Sequence, residues 1–325
     1  MTILLLGLSV GWAAGCAQND DPYFSVPGVS HYVQGAQEYE RGNTQSALAD
    51  LTEAVKESPD LTMAHVMLGD IYKNRSDYRN ASDHYALAAQ LDPYDFKNHY
   101  NLGLAYQFLN RLQEAAAAYL RALKLNPQDL DSTMNLGLVY LGLNHPDDAL
   151  NMMWRAVGMA PKSASAHCNL GVALEAKHDY ADAEREFRRA VELDADSAVP
   201  LTDLAENLIH QSRGAEAALV MEAALKISDT PDARQRYADA LVLAGRDDDA
   251  LQQYVIVVRR LPGSWLALDE GGLIVIRKYI AGASLDERLR RQAVAIWKRS
   301  LTLQPDQPRV AELIKRWDQD GKISP

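Results

Sequence analysis

Alanine returns at a fixed interval along most of this chain. Ala47, Ala81, Ala115, Ala149, Ala183 and Ala217 stand 34 residues apart, and Ala250 follows after 33. One coincidence would mean little where alanine is common; seven positions in register define a repeat. Other positions keep the same interval. Ala54, Ala88, Ala122, Ala156, Ala190 and Ala224 lie seven residues after each first alanine, and Val257 closes that series. Gly35, Gly69, Gly103, Gly137 and Gly171 lie twelve before it, followed by Ala205 and Ala238. Pro59, Pro93, Pro127, Pro161 and Pro262 lie twelve after it. Tyr72, Tyr106 and Tyr140 follow their glycines by three, while Tyr85, Tyr119, Phe187 and Tyr254 follow their alanines by four.

Two antiparallel helices per repeat account for this pattern. Small residues at the Gly and first Ala positions let two helix axes approach to the short end of about 8–10 Å, and the Tyr and Leu positions fill the space beside them. Proline near the end of the second helix cannot continue it. The pattern resembles the tetratricopeptide repeat, in seven copies over residues 28–264. That resemblance implies an all-α, right-handed superhelical solenoid of antiparallel helix pairs, with a concave and a convex side.

An eighth repeat, residues 265–305, departs from the spacing. Gly272 and Ala293 occupy the Gly and Ala positions but lie 21 residues apart instead of twelve, after which Trp297 and Pro305 fall in register. Ser284-Leu285-Asp286-Glu287 reads as a capping box, which predicts that the nine extra residues lengthen the second helix at its N-terminus. Residues 306–325 hold an amphipathic stretch, Val310 to Trp317, suited to a terminal capping helix and tail.

At the other end, residues 3–15 form an uncharged apolar or small stretch that is too short to cross a bilayer as a helix. It reads as a signal peptide over residues 1–15, or else as a short buried N-terminal helix. Ala13-Ala14-Gly15-Cys16 resembles a bacterial lipobox, which implies acylation of Cys16 and a lipidated tether over residues 16–27. No Lys or Arg precedes the stretch, so the expected start lies upstream of Met1 if the signal is complete. The resemblance predicts a lipid-anchored protein at the bacterial cell envelope, with Ala17 favouring the outer membrane facing the periplasm.

Charge and motif content narrow the function. The net charge of -11 argues against a nucleic-acid binder, and two cysteines exclude a disulfide scaffold. No Gly-rich phosphate loop with Lys, His-Glu-x-x-His helix or Gly-x-Ser-x-Gly turn occurs, so no catalytic residue, cofactor or metal ligand is expected. His65, His99 and His167 share one repeat position, where stacking keeps them on the order of 10 Å apart; packing between repeats is expected of them rather than one shared metal. Cys168 reads as a small apolar lining residue.

Asn101, Asn135 and Asn169 each begin an Asn-Leu-Gly triplet. In peptide-binding members of the resembled family this position forms a ladder along the concave groove, and an amide can both donate to and accept from a peptide backbone. The alternative is an Asn that bonds only the neighbouring backbone. Tyr100, Leu104, Met134, Leu138, Leu141, Cys168 and Val172 are expected to face inward with the ladder, beside Lys97 as the lone cation. That surface departs from the family's carboxylate clamp and suits an amphipathic helix or an apolar peptide, bound with little salt dependence. Asp203, Glu206 and Asp239 beside Arg236 change its character in repeats six and seven. Residues 255–325 carry 13 Lys and Arg against 8 Asp and Glu, and Arg288, Arg290, Arg291, Lys298 and Arg299 gather there as a basic face. It is either simply solvated or a dock for an acidic partner or lipid headgroups.

The expected function is a non-catalytic protein-protein interaction scaffold that binds peptide or helical segments at the envelope. Alternatives are a pilotin-like assembly factor for pili or a secretion pore, and an accessory subunit of an envelope polysaccharide or peptidoglycan enzyme.

Overall fold

A computed structural model describes residues 27–282 and 286–318. The expected signal, the lipidation of Cys16, the tether up to residue 26, and Ser284 and Leu285 of the capping box lie outside the described residues. The described residues form helices and turns, with no strand among them. They divide into two compact units that meet at Pro127 and Gln128.

The first unit holds α1 (Val29–Glu40), α2 (Thr44–Glu57), α3 (Thr62–Asn74), α4 (Tyr78–Leu91), α5 (Phe96–Phe108) and α6 (Leu112–Leu125). The second begins with α7 (Leu130–Gly142), α8 (Pro146–Met159), α9 (Ala164–Ala176), α10 (Tyr180–Leu193), α11 (Ala198–His210) and α12 (Gly214–Ile227). It continues with α13 (Pro231–Leu243), α14 (Asp247–Arg260), α15 (Trp265–Ala281), α16 (Glu287–Leu303) and α17 (Pro308–Trp317). Helices pack as consecutive pairs, α1 on α2 through α15 on α16.

Local chemistry places the helix ends. Side chains of Asp95, Asp129, Ser163, Ser197, Thr230 and Ser264 accept a backbone N–H at the start of α5, α7, α9, α11, α13 and α15. Each satisfies an amide that the helix itself leaves unpaired. The first helix of each of the first seven pairs then closes on a left-handed residue: Gly42, Ser76, Asn110, Asn144, His178, Ser212 and Gly245, with φ between 57° and 80°. In repeat two the closure is completed by Ser76 N–H on the Lys73 carbonyl and Asp77 N–H on the Tyr72 carbonyl, both 2.9 Å.

Pairing rests on one joint. A methyl group added at Gly69 would lie 2.6 Å from the Tyr85 ring, at Gly103 2.8 Å from Tyr119, and at Gly171 2.5 Å from Phe187. Each glycine meets the residue sixteen places on, which fills the space that a side chain would need. A methyl group added at Gly272 would likewise overlap the Trp297 indole, so the eighth pair keeps the joint despite nine extra residues. Those residues do not all extend the second helix, as the capping box predicts. Relative to the seventh pair, four lengthen α15, three lengthen α16 and two lengthen the connection. Val275, Ile276 and Tyr279 bury the added turn of α15, while Asp286 caps α16 by accepting from Arg288 N–H. α17 packs on α16 with Val310 buried, and the Trp317 ring stands edge-on to Tyr279 at 6.0 Å.

Candidate functional site

The exposed edge of the first helix in each pair offers a surface that the joint does not consume. Within the second unit α7 packs on α9, α9 on α11 and α11 on α13, which forms an inner wall of first helices. Asn135 and Asn169 lie on that wall, half-exposed, while Leu136 and Leu170 beside them are fully buried. Neither amide makes a side-chain hydrogen bond among the described residues, and the same holds for Asn101 on α5 in the first unit. Asn98 and Asn207, which are buried, do bond: Asn98 to the Ala88 and Asp92 carbonyls, Asn207 to Glu175. Buried amides find partners inside the fold and the ladder amides keep their capacity free for something outside it.

Aliphatic side chains flank the amides. Leu104, Met134, Leu138 and Leu141 are half-buried, the last two leaning on the core, and Val172 is exposed. Tyr100 is half-buried, with its ring 6.0 Å from that of Tyr119. In the first unit Asn101 and Lys97 line an open cleft of about 420 Å³ together with Tyr32, Met63, Met67 and Asp70.

Repeats six and seven put charge on the same register. Asp203 and Arg236 occupy the ladder position on α11 and α13. The Arg236 guanidinium bonds Glu206 and, at 3.1 Å, Asp232. Asp239 accepts from the Tyr254 hydroxyl. Burial raises the carboxyls of Asp203, Asp239 and Glu270 above the ordinary range, partly opposed at Asp203 by the bond from Cys168 and at Asp239 by that from Tyr254. Asp203, Glu206, Asp232 and Asp239 thus crowd the Arg236 guanidinium, while the cations near Glu270 are Arg309 and Arg277.

Cys168 is buried in the core, with the Asp203 carboxyl beside its thiol. Burial first and Asp203 second push the thiol up to about 12, which disfavours the reactive thiolate. Arg290 does not belong to the exposed basic face. It is buried, with Nε on Glu287 at 2.7 Å and Nη1 bonded to the Trp317 carbonyl, so it ties α16 to α17. Arg288, Arg291, Lys298 and Arg299 are exposed, and Lys298 pairs with Asp318 at 2.7 Å.

The shared histidine position has a specific task. Nε2 of His65, His99 and His167 meets the carbonyl of Pro59, Pro93 and Pro161 at 3.0, 3.1 and 3.2 Å, each six residues back. Each imidazole holds the proline turn between repeats. The N-caps and left-handed closures also recur at the repeat interval, a signal that the alanine register leaves unread.

These stacked pairs define an α-solenoid repeat protein. Sequence profiles of the tetratricopeptide repeat match residues 32–96, 97–129 and 134–198, half of the chain, and the chain belongs to that family. No curated protein sequence matches it. Among solved structures it is similar to a tetratricopeptide repeat protein from Parabacteroides merdae, at 17% identity and TM-score 0.61, covering 78% of this chain and 97% of that one. It is also similar to PilW, a widely conserved type IV pilus biogenesis factor, at 18% identity and TM-score 0.58, covering 62% and 94%. A third is pilF of Pseudomonas aeruginosa, at 19% identity and TM-score 0.53, covering 66% and 96%. At these identities the likeness is one of fold.

Proposed function

We propose that this chain is an interaction scaffold, anchored at a bacterial cell envelope through acylated Cys16, whose inner faces take up a cationic, partly apolar segment of a partner protein. The observation that carries this reading is the free amides of Asn135 and Asn169 running into the carboxyls of Asp203, Glu206 and Asp239 on one wall, with Glu270 of α15 near Asp239. The amides suit a peptide backbone, the aliphatic residues suit apolar side chains, and the surplus carboxyls suit Lys or Arg. The expectation of salt-independent binding therefore gives way to a groove whose acidic part responds to salt.

A lysine-rich amphipathic helical peptide and its glutamate counterpart test the groove by fluorescence anisotropy. The lysine peptide is expected to bind, to weaken as salt rises and to weaken further with Glu270→Gln; equal binding of both peptides would sink the reading. The anchor is tested separately, by replacing Cys16 with Ser. The protein should move from the membrane to the soluble fraction with unchanged helical content, and equal membrane recovery would remove the lipoprotein part. The narrower role of a pilus assembly factor is a second proposal, supported by the shared fold with PilW and tested by loss of pili on deletion.

A further inference from the structure

Repeat two faces two imidazoles toward each other. Nδ1 of His65 on α3 lies 3.1 Å from Nδ1 of His84 on α4. Nε2 of His65 lies 3.0 Å from the Pro59 carbonyl, which only accepts, so neutral His65 carries its proton on Nε2 and turns a bare Nδ1 lone pair to His84. The His84 ring is stacked on Tyr72, 5.6 Å away and within 6° of parallel, and this packing holds its Nδ1 in place. The arrangement belongs to this repeat. The residue equivalent to His84 is Ala118 beside His99, and it is Glu186, at 2.6 Å, beside His167.

We propose that His65 and His84 form a bidentate site for a divalent ion of the imidazole-preferring class, copper(II) or zinc(II). Two metal–nitrogen bonds of about 2.0–2.1 Å separate their nitrogens by about 2.9 Å at a right angle and about 3.4 Å at the tetrahedral angle. The observed 3.1 Å lies between these values, and with the ring centroids 5.3 Å apart the two Nδ1 atoms face each other nearly head-on, so the imidazoles must also pivot to turn both lone pairs onto one ion. The Pro59 carbonyl is the outer-shell acceptor that orients a metal-bound imidazole. On metal binding the proton on His84 Nδ1 moves to its Nε2, and both Nδ1 lone pairs bind the ion with no net proton change. No third His, Cys, Asp or Glu joins the pair among the described residues, so water fills the remaining positions. The site is thus open and exchangeable rather than structural. It uses only His65 of the series His65, His99 and His167, whose three imidazoles do not converge on one ion.

Calorimetric titration of the full chain with copper(II) and with zinc(II) in a non-coordinating buffer tests the site beside His84→Ala and His84→Gln. The parent is expected to hold an ion that both variants bind at least about tenfold more weakly. The copper complex should show two nitrogen donors by electron paramagnetic resonance in the parent and at most one in the variants. Circular dichroism checks that the variants stay folded. Equal affinity in parent and variants, a copper spectrum that ignores His84, or no ion bound by the parent would overturn the proposal.

Discussion

In repeat five, Asn169 sits on the inner face of α9 with exposed Val172 one turn on. In repeat six the same two positions hold Asp203 and Glu206. The joints beneath them are alike: Gly171 receives Phe187 in one, and fully buried Ala205 takes the glycine position in the other. The core of each pair is therefore insensitive to what its inner edge carries. Inner-edge chemistry can change from amide to carboxylate between neighbours without altering the helix lattice, and that freedom lets one repeat architecture serve different partners.

The shared joint is the strongest place to test this contrast. Gly171→Leu and Ala205→Leu should each overpack a closed contact and cost roughly 1–3 kcal/mol in urea unfolding. Because stability passes between neighbouring repeats, the loss should broaden or split the transition. A neutral Ala205→Leu would show that the joint in repeat six differs from that in repeat five.

Next in size is the amide contribution. Asn135→Ala and Asn169→Ala should leave stability within about 0.5 kcal/mol, since both side chains are half-exposed and unpaired. Each should weaken the lysine-rich peptide by about 0.5–1.5 kcal/mol, the net value of one hydrogen bond. Salt should leave the amide increment unchanged while lowering affinity overall. Unaltered affinity in both variants would make the ladder structurally idle.

A smaller, graded effect concerns acid. Asp203 and Asp239 have carboxyls raised by burial above the values they regain on unfolding. Between the ordinary and the raised value the native state holds more protons, so stability is full below that window and falls as pH rises through the folded pKa. Asp203→Asn with Asp239→Asn should make that fall shallower, as measured by unfolding at a series of pH values. An unchanged slope would mean these carboxyls do not carry it.

The fold was legible because its joint repeats in sequence: glycine five times and alanine twice, each followed sixteen places later by an aromatic residue, Leu or Met. Even the eighth pair announced itself through Gly272 and Trp297. The destination of the nine extra residues was not legible, because Ser284-Leu285-Asp286-Glu287 has the composition of a cap without fixing which residue caps. Asp286 does so, and the apolar side chains of Val275, Ile276 and Tyr279 draw the rest of the insertion into α15. Arg290 belongs to the same class of miss. Its neighbours in sequence are basic and exposed, and only α17 lying against α16 makes it a buried tie.

At the inner wall the division runs the same way. The sequence placed Asn101, Asn135 and Asn169 on equivalent helical positions, since a 34-residue period returns each to the same face of its helix. Whether those amides were spent on their own backbone could not be read there, because their partners would come from residues distant in the chain. The packed structure leaves them free, sets the Cys168 thiol beside Asp203 of the next repeat, and turns His84 toward His65. Periodicity determines which residues share a face; only the approach of separate helices determines which polar atoms on those faces remain without a partner.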